Sequence, residues 1–138
     1  MEKITQKDIK YFNIAKTVAR TSEYPRIKIG SCIVKKNKIL GVGVNMVKSH
    51  PAQKIYNKNR GIDINRIYNN IHAELDAVLK VANKKDLEGA SIYLYRENSL
   101  GEIKMCRPCS ACMALLQEHH IKYVYYTNEG KFCREEVC

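Results

Sequence analysis

Hydrophobic and polar positions follow two rhythms along the chain. Ile9, Phe12, Ala15 and Ala19 recur at helical spacing behind Thr5-Gln6-Lys7-Asp8, where Thr5 suits an N-cap and Asp8 the first turn. A helix is predicted there, ended by a loop at Tyr24-Pro25. Two β-type runs follow, Ile29 to Val34 and Ile39 to Val44, joined through Lys36-Asn37-Lys38 as a hairpin. From Asn45 to about Asn69 the chain is polar and reads as a long loop, a length that in compact domains usually serves function. Ile71, Leu75, Val78, Leu79 and Ala82 then make a second helical stripe. After a turn from Asp86 to Gly89 come a strand over Ala90 to Tyr95 and a loop from Arg96 to Arg107. A third helix opens at Pro108 and runs to about His119, and Ile121 to Thr127 is a strand. Asn128-Glu129-Gly130 turns the chain into a last strand over Lys131 to Val137. That turn is too short for a parallel crossover, so the final pair is predicted antiparallel. The order predicts an α/β fold with helices packed over one mixed sheet.

A length of 138 residues suits one domain with a substantial core. No run approaches the ~18 apolar residues of a membrane helix. The start, Met1 to Gln6, lacks the layout of a signal peptide, so the expected compartment is the cytoplasm. There, the six cysteines at 32, 106, 109, 112, 133 and 138 point to metal or catalytic roles more than to disulfides. The net charge of +10 has two readings: an anionic partner, or a composition rich in Lys, Ile and Asn. The charge concentrates between Lys48 and Arg66, with Lys54, Lys58 and Arg60 between them and only Asp63 opposing.

Two short motifs carry chemistry. His72-Ala73-Glu74 opens the second helix, and Pro108-Cys109-Ser110-Ala111-Cys112 opens the third. One imidazole and two thiolates give three zinc ligands and leave a fourth position for water, the pattern of a catalytic site. Cys109 and Cys112, three apart, share a face of one helical turn. The unpaired N–H groups of a helix N-terminus favour their thiolate forms. Glu74 is close to His72 in sequence and placed to shuttle protons. Each half alone is weak, but together they match the zinc-deaminase signature H-x-E…P-C-x-x-C.

On these motifs the chain resembles the cytidine and deoxycytidylate deaminase superfamily over nearly its whole length. Ala19-Arg20-Thr21-Ser22, with Lys28 to Val34, resembles the entry to the first strand of deoxycytidylate deaminases, and Gly43-Val44-Asn45 the end of their second. The resemblance implies a three-layer α/β/α fold, a mixed sheet with helices on both faces, with residues 1–138 forming one deaminase domain. It implies Zn2+ on His72, Cys109 and Cys112, Glu74 as the catalytic proton carrier, and Asn45 and Ala73 as substrate contacts. The implied substrate is a pyrimidine nucleotide, dCMP favoured, and relatives of this kind are often homo-oligomers. Val44 and Met46 stand where a tyrosine and a glycine usually flank the asparagine. Asp76 replaces a frequent asparagine, and Arg96 to Arg107 is an insertion. An antiparallel tail is a feature of free-nucleoside deaminases rather than deoxycytidylate deaminases.

Two other readings stand beside this one: a deaminase of single-stranded DNA or RNA, using the basic stretch, and a non-catalytic zinc or iron–sulfur module on Cys106, Cys109, Cys112 and Cys133. The run of Met113 to Leu116 argues against the module, because the cysteines lead into an amphipathic helix. Cys106 is expected near the metal without binding it. Cys133 and Cys138 are expected not to hold a second metal. Arg20 and Arg26 are candidate phosphate contacts or solvent-facing arginines, and His50 a candidate at the pocket mouth or a loop histidine. His119 and His120 are expected to cap the third helix, and Tyr123, Tyr125 and Tyr126 to serve packing.

Overall fold

The computed structural model describes residues 4–59 and 70–137. Helix α1 spans Gln6–Ala19. Thr5 and Asp8 close a reciprocal capping box, each accepting the other's backbone N–H at 3.2 and 2.9 Å. Strands β1 (Lys28–Lys35) and β2 (Lys38–Val44) form the hairpin, turning at Lys36 and Asn37, both with positive φ. Then come α2 (Pro51–Asn59), α3 (Ala73–Lys80), a 3-10 turn (Lys84–Leu87) and β3 (Ser91–Glu97). Helix α4 (Ser110–Glu118) and strands β4 (Tyr123–Asn128) and β5 (Lys131–Glu136) complete the chain.

The five strands lie in the order β2-β1-β3-β4-β5. Strand β1 is antiparallel to β2 and β3, β3 is parallel to β4, and β4 is antiparallel to β5. The sheet is mixed, and the tail is the antiparallel hairpin expected. Period-2 alternation sorts the side chains onto two faces. Cys32, Val34, Tyr93, Tyr95 and Tyr125 pack under α1 with Tyr11 and Phe12. Ile33, Ile92, Leu94 and Val124 pack against Leu75 and Val78 of α3 and Leu115 and Leu116 of α4. Helices on both faces make the three layers. Two glycines set how closely they approach. A Cβ on Gly30 would lie 2.1 Å from the Ala15 carbonyl, and one on Gly43 would lie 2.3 Å from the Ala77 nitrogen. Tyr93 and Tyr125 stack at 4.2 Å between centroids, which places these tyrosines in packing.

Three expectations need correction. Part of the predicted loop from Asn45 to Asn69 is helix α2; residues 60–69 lie outside the described residues. The helix escaped hydrophobic periodicity because two residues on its inward face, Gln53 and Asn57, are polar, each 1% exposed. The stripe of the next helix runs too far: α3 stops at Lys80, leaving Leu79 exposed and Ala82 beyond it. The segment Arg96 to Arg107 is not plain loop. Strand β3 continues to Glu97, which bridges Ile103 across a turn where Asn98 accepts from Leu100 and Glu102.

Candidate active site

The two motifs meet because α3 and α4 begin on the same side of the sheet. His72 is the N-cap of α3 and Cys109 the N-cap of α4, both with extended backbone. The His72 Nδ1 lies 3.2 Å from Cys112 Sγ and 3.7 Å from Cys109 Sγ. These three donor atoms all fall within 4.8 Å of one another. One imidazole nitrogen and two sulfurs at that spacing suit a tetrahedral zinc with an open position. Among the described residues, Cys106 and Cys133 are outside this cluster. Cys106 is buried with its Sγ 3.1 Å from Thr127 Oγ1, and burial pushes its thiol up to about 12. Cys138 lies outside the described residues.

The electrostatics of the cluster favour a cation. A hydrogen bond with Cys112, then one with His72, brings the thiol of the exposed Cys109 down to about 4, against a smaller opposing effect of desolvation. The same Cys109 bond, then burial, holds the Cys112 thiol well above the usual range, so the two sulfurs share one proton. Burial disfavours the His72 imidazolium, but Cys109 and the Glu74 charge outweigh it and raise its pKa. Glu74, in the first turn of α3, is 6% exposed, and burial raises its carboxyl above the ordinary value. A buried carboxyl of raised pKa is suited to take up and release a proton.

A cavity of about 420 Å³ opens onto this cluster, bounded by Tyr24, Asn45, His72, Glu74, Arg96 and Cys109 among others. That is a small-molecule volume. Asn45 lines it from the end of β2. Its Oδ1 accepts from Ser22 Oγ at 2.7 Å and Ile29 N at 3.0 Å, while Nδ2 donates to the Ile27 carbonyl at 2.9 Å. One of its two amide hydrogens is thereby committed to the protein. Ala73 is fully buried in the first turn of α3, and its carbonyl accepts from Ser31 Oγ; it is not among the residues lining the cavity. Asp76, a departure in the sequence, has a structural use: its Oδ2 accepts from Val44 N and Lys80 Nζ, each at 2.9 Å. It therefore pins the strand end that carries Asn45.

Sequence reasoning missed Gln53. Its Oε1 accepts the His72 N–H at 3.2 Å, and its Nε2 donates to Asn57 Oδ1 at 3.1 Å. The residue that usually reaches back to an N-cap N–H is the third of the helix, here apolar Leu75, so α2 supplies the acceptor instead. No motif marks such a contact, because it crosses between separate helices. Tyr56 of the same helix bonds Glu118 of α4. His50 closes the first turn of α2, its Nδ1 accepting from Ala52 N, and is not among the cavity-lining residues. His119 and His120 end α4 as expected, His119 as its C-cap and His120 with positive φ.

The comparisons agree with this geometry. A family model described as the cytidine and deoxycytidylate deaminase zinc-binding region matches residues 5–128. A deoxycytidylate deaminase of Mycobacterium phage D29 is 27% identical over 133 residues, 87% of this chain and 93% of its own. An uncharacterised deaminase of Aliivibrio fischeri is 28% identical over 116 residues, 84% of this chain and 69% of its own. The fold is shared with the dCMP deaminase of cyanophage S-TIM5: TM-score 0.61, 22% identity, 87% of this chain and 81% of that one. It is shared too with the cytidine deaminase of Burkholderia pseudomallei: TM-score 0.63, 19% identity, 94% and 91%. The chain thus belongs to the cytidine and deoxycytidylate deaminase zinc-binding family, and is a zinc-dependent hydrolytic deaminase.

Proposed function

We propose that the protein hydrolyses the amino group of a cytosine mononucleotide, dCMP before others, acting as one domain over residues 1–138. The observation that carries this reading is the convergence of His72, Cys109 and Cys112 with the buried Glu74 on one cavity of nucleotide size. The phage relative named for deoxycytidylate supports the choice of nucleotide. His72, Cys109 and Cys112 would hold the zinc, which would supply the activation of a water molecule as nucleophile. Glu74 would take one proton of water as the water oxygen bonds to C4, and deliver it to N3 of the pyrimidine, whose double bond to C4 becomes single. It then carries the second proton to the amino group. The C4–N bond breaks, the C4–O bond remains, and ammonia and the uracil nucleotide leave. Asn45 offers its remaining amide hydrogen to the sugar.

Lys54 and Lys58 are exposed on α2; Arg60 and Arg66 lie outside the described residues. A polynucleotide is therefore the competing outcome. The test is product analysis with zinc-loaded protein on dCMP, deoxycytidine and a single-stranded oligonucleotide across a salt series. The expected result is turnover of dCMP, slower turnover of deoxycytidine, little on the oligonucleotide, and a shallow salt dependence. A strand contact would instead cost about 0.7 log unit of affinity per log unit of salt for each phosphate engaged. Oligonucleotide deamination with dCMP left intact overturns the proposal.

A further inference from the structure

Four arginines line the cavity or flank the entry to the first strand, and their surroundings separate them. Arg20 is tied to Glu97 at 3.0 Å and is not among the cavity-lining residues. Arg107 lines the cavity but is paired with both oxygens of Glu135, at 2.7 and 3.3 Å. Arg96 also lines the cavity, and among the described residues no carboxylate is paired with it. Its Nη1 donates to the Met105 carbonyl at 3.1 Å, while its Nε is buried and has no partner. It is the one buried side-chain nitrogen or oxygen left unsatisfied among the described residues. Arg26, the other candidate, is exposed and is not among the lining residues.

The sequence places Arg96 deliberately. Ile92 and Leu94 point to the α3–α4 face of the sheet, and the period of two puts Arg96 on that same face, where the core gives way to the cavity. Its backbone is held on both sides. Its N–H donates to Thr127 Oγ1 at 3.3 Å, and its carbonyl accepts from Lys104 N at 2.9 Å. Thr127, fully buried, also donates to the Lys104 carbonyl and accepts from Cys106 N. The inserted hairpin therefore returns against β3 and β4 and brings the Met105 carbonyl under the guanidinium.

We infer that Arg96 is the residue that recognises the phosphate of the substrate, and so sets its preference for nucleotide over nucleoside. This rests on the mononucleotide reading above. A nucleotide is neutral at its reacting base, which belongs beside Glu74, and anionic at its other end. The unmatched charge in the cavity answers that end. A base carbonyl satisfies one N–H. Two phosphate oxygens satisfy a guanidinium edge, Nε together with an Nη, which is why arginine serves such groups. Nε is buried, so engaging phosphate with this edge requires the guanidinium to turn, a side-chain change common on ligand entry.

The test uses zinc-loaded wild type, Arg96→Gln and Arg96→Lys. Two quantities are measured: kcat/KM on dCMP and deoxycytidine, and binding of dUMP and deoxyuridine by calorimetry. Losing a charge-assisted fork is expected to lower the dCMP-to-deoxycytidine ratio about 100-fold in R96Q, chiefly through KM, with the dUMP-to-deoxyuridine binding ratio falling in step. R96K, which keeps the charge without the fork, should fall between. Should R96Q fail to fold, R96K decides alone, by a drop of about tenfold in both ratios. Equal losses on nucleotide and nucleoside overturn the assignment, as does no loss. Wild-type turnover of deoxycytidine with no advantage for dCMP refutes Arg96 and leaves the deaminase reading intact. Turnover of neither, with dUMP bound ahead of deoxyuridine and that preference lost in R96Q, refutes the substrate and leaves Arg96 intact. Absence of both turnover and nucleotide binding refutes both.

Discussion

Replacing Gln53 by leucine tests whether α2 serves the metal or merely covers the core. The leucine keeps most of the volume but removes the acceptor of the His72 N–H, 3.2 Å away, and the donor to Asn57, 3.1 Å away. Each buried polar group left unmade costs about 1–3 kcal/mol. The buried leucine returns part of that, about 1.5–3 kcal/mol for a full side chain. The net loss is on the order of 2 kcal/mol, or about 4–8 °C in Tm for a chain of this size. The metal should register the change separately. An N-cap histidine whose backbone has lost its anchor holds its ring less well, and loss of such outer partners typically weakens metal affinity about 10–100-fold. Chelator competition gives the zinc affinity, and calorimetric melting of metal-free and zinc-loaded protein gives the stability with and without the ion. The stabilisation by zinc should shrink in Gln53→Leu and partly recover in Gln53→Glu, which restores an acceptor. Zinc affinity within twofold of wild type, with equal drops in both melting points, would refute the positioning role and leave Gln53 as packing.

Cys112→Ser should lose most of its zinc by metal analysis; full retention would remove Cys112 from the ligand set. Glu74→Gln, close in shape at a site 6% exposed, should keep zinc and fold but lose turnover by on the order of 10²-fold or more; near-normal rates would take Glu74 out of the proton path. Gly43→Ala puts a methyl 2.3 Å from the Ala77 nitrogen and 2.4 Å from the Ala73 carbonyl, so α3 must lift from β2. A loss of about 1–3 kcal/mol or more in denaturant unfolding, with weakened zinc binding, is the expected result, and a neutral outcome would show that the layers are not held as close as this.

What the sequence determined by itself is local. Periodicity placed α1, the β1–β2 hairpin and the buried strands, because each signal repeats within a few residues. The candidate ligands and the candidate proton carrier were legible for the same reason: His72-Ala73-Glu74 and Cys109 to Cys112 are short motifs whose chemistry needs those residue types. The three-residue turn at 128–130 likewise settled the direction of β5. Only the tertiary structure decided matters that depend on residues far apart in the chain. Helix α2 was hidden because Gln53 and Asn57 face inward as hydrogen-bonding groups, so its amphipathic pattern is inverted at two of its buried positions. Asp76 stands where an asparagine is frequent, and only folding brings its carboxylate to Val44 N, across 32 residues. Arg20 and Arg96 are the same residue type with the same charge in the sequence. Glu97 neutralises the first, and among the described residues no carboxylate answers the second, a difference set by which side chains folding brings within 4 Å.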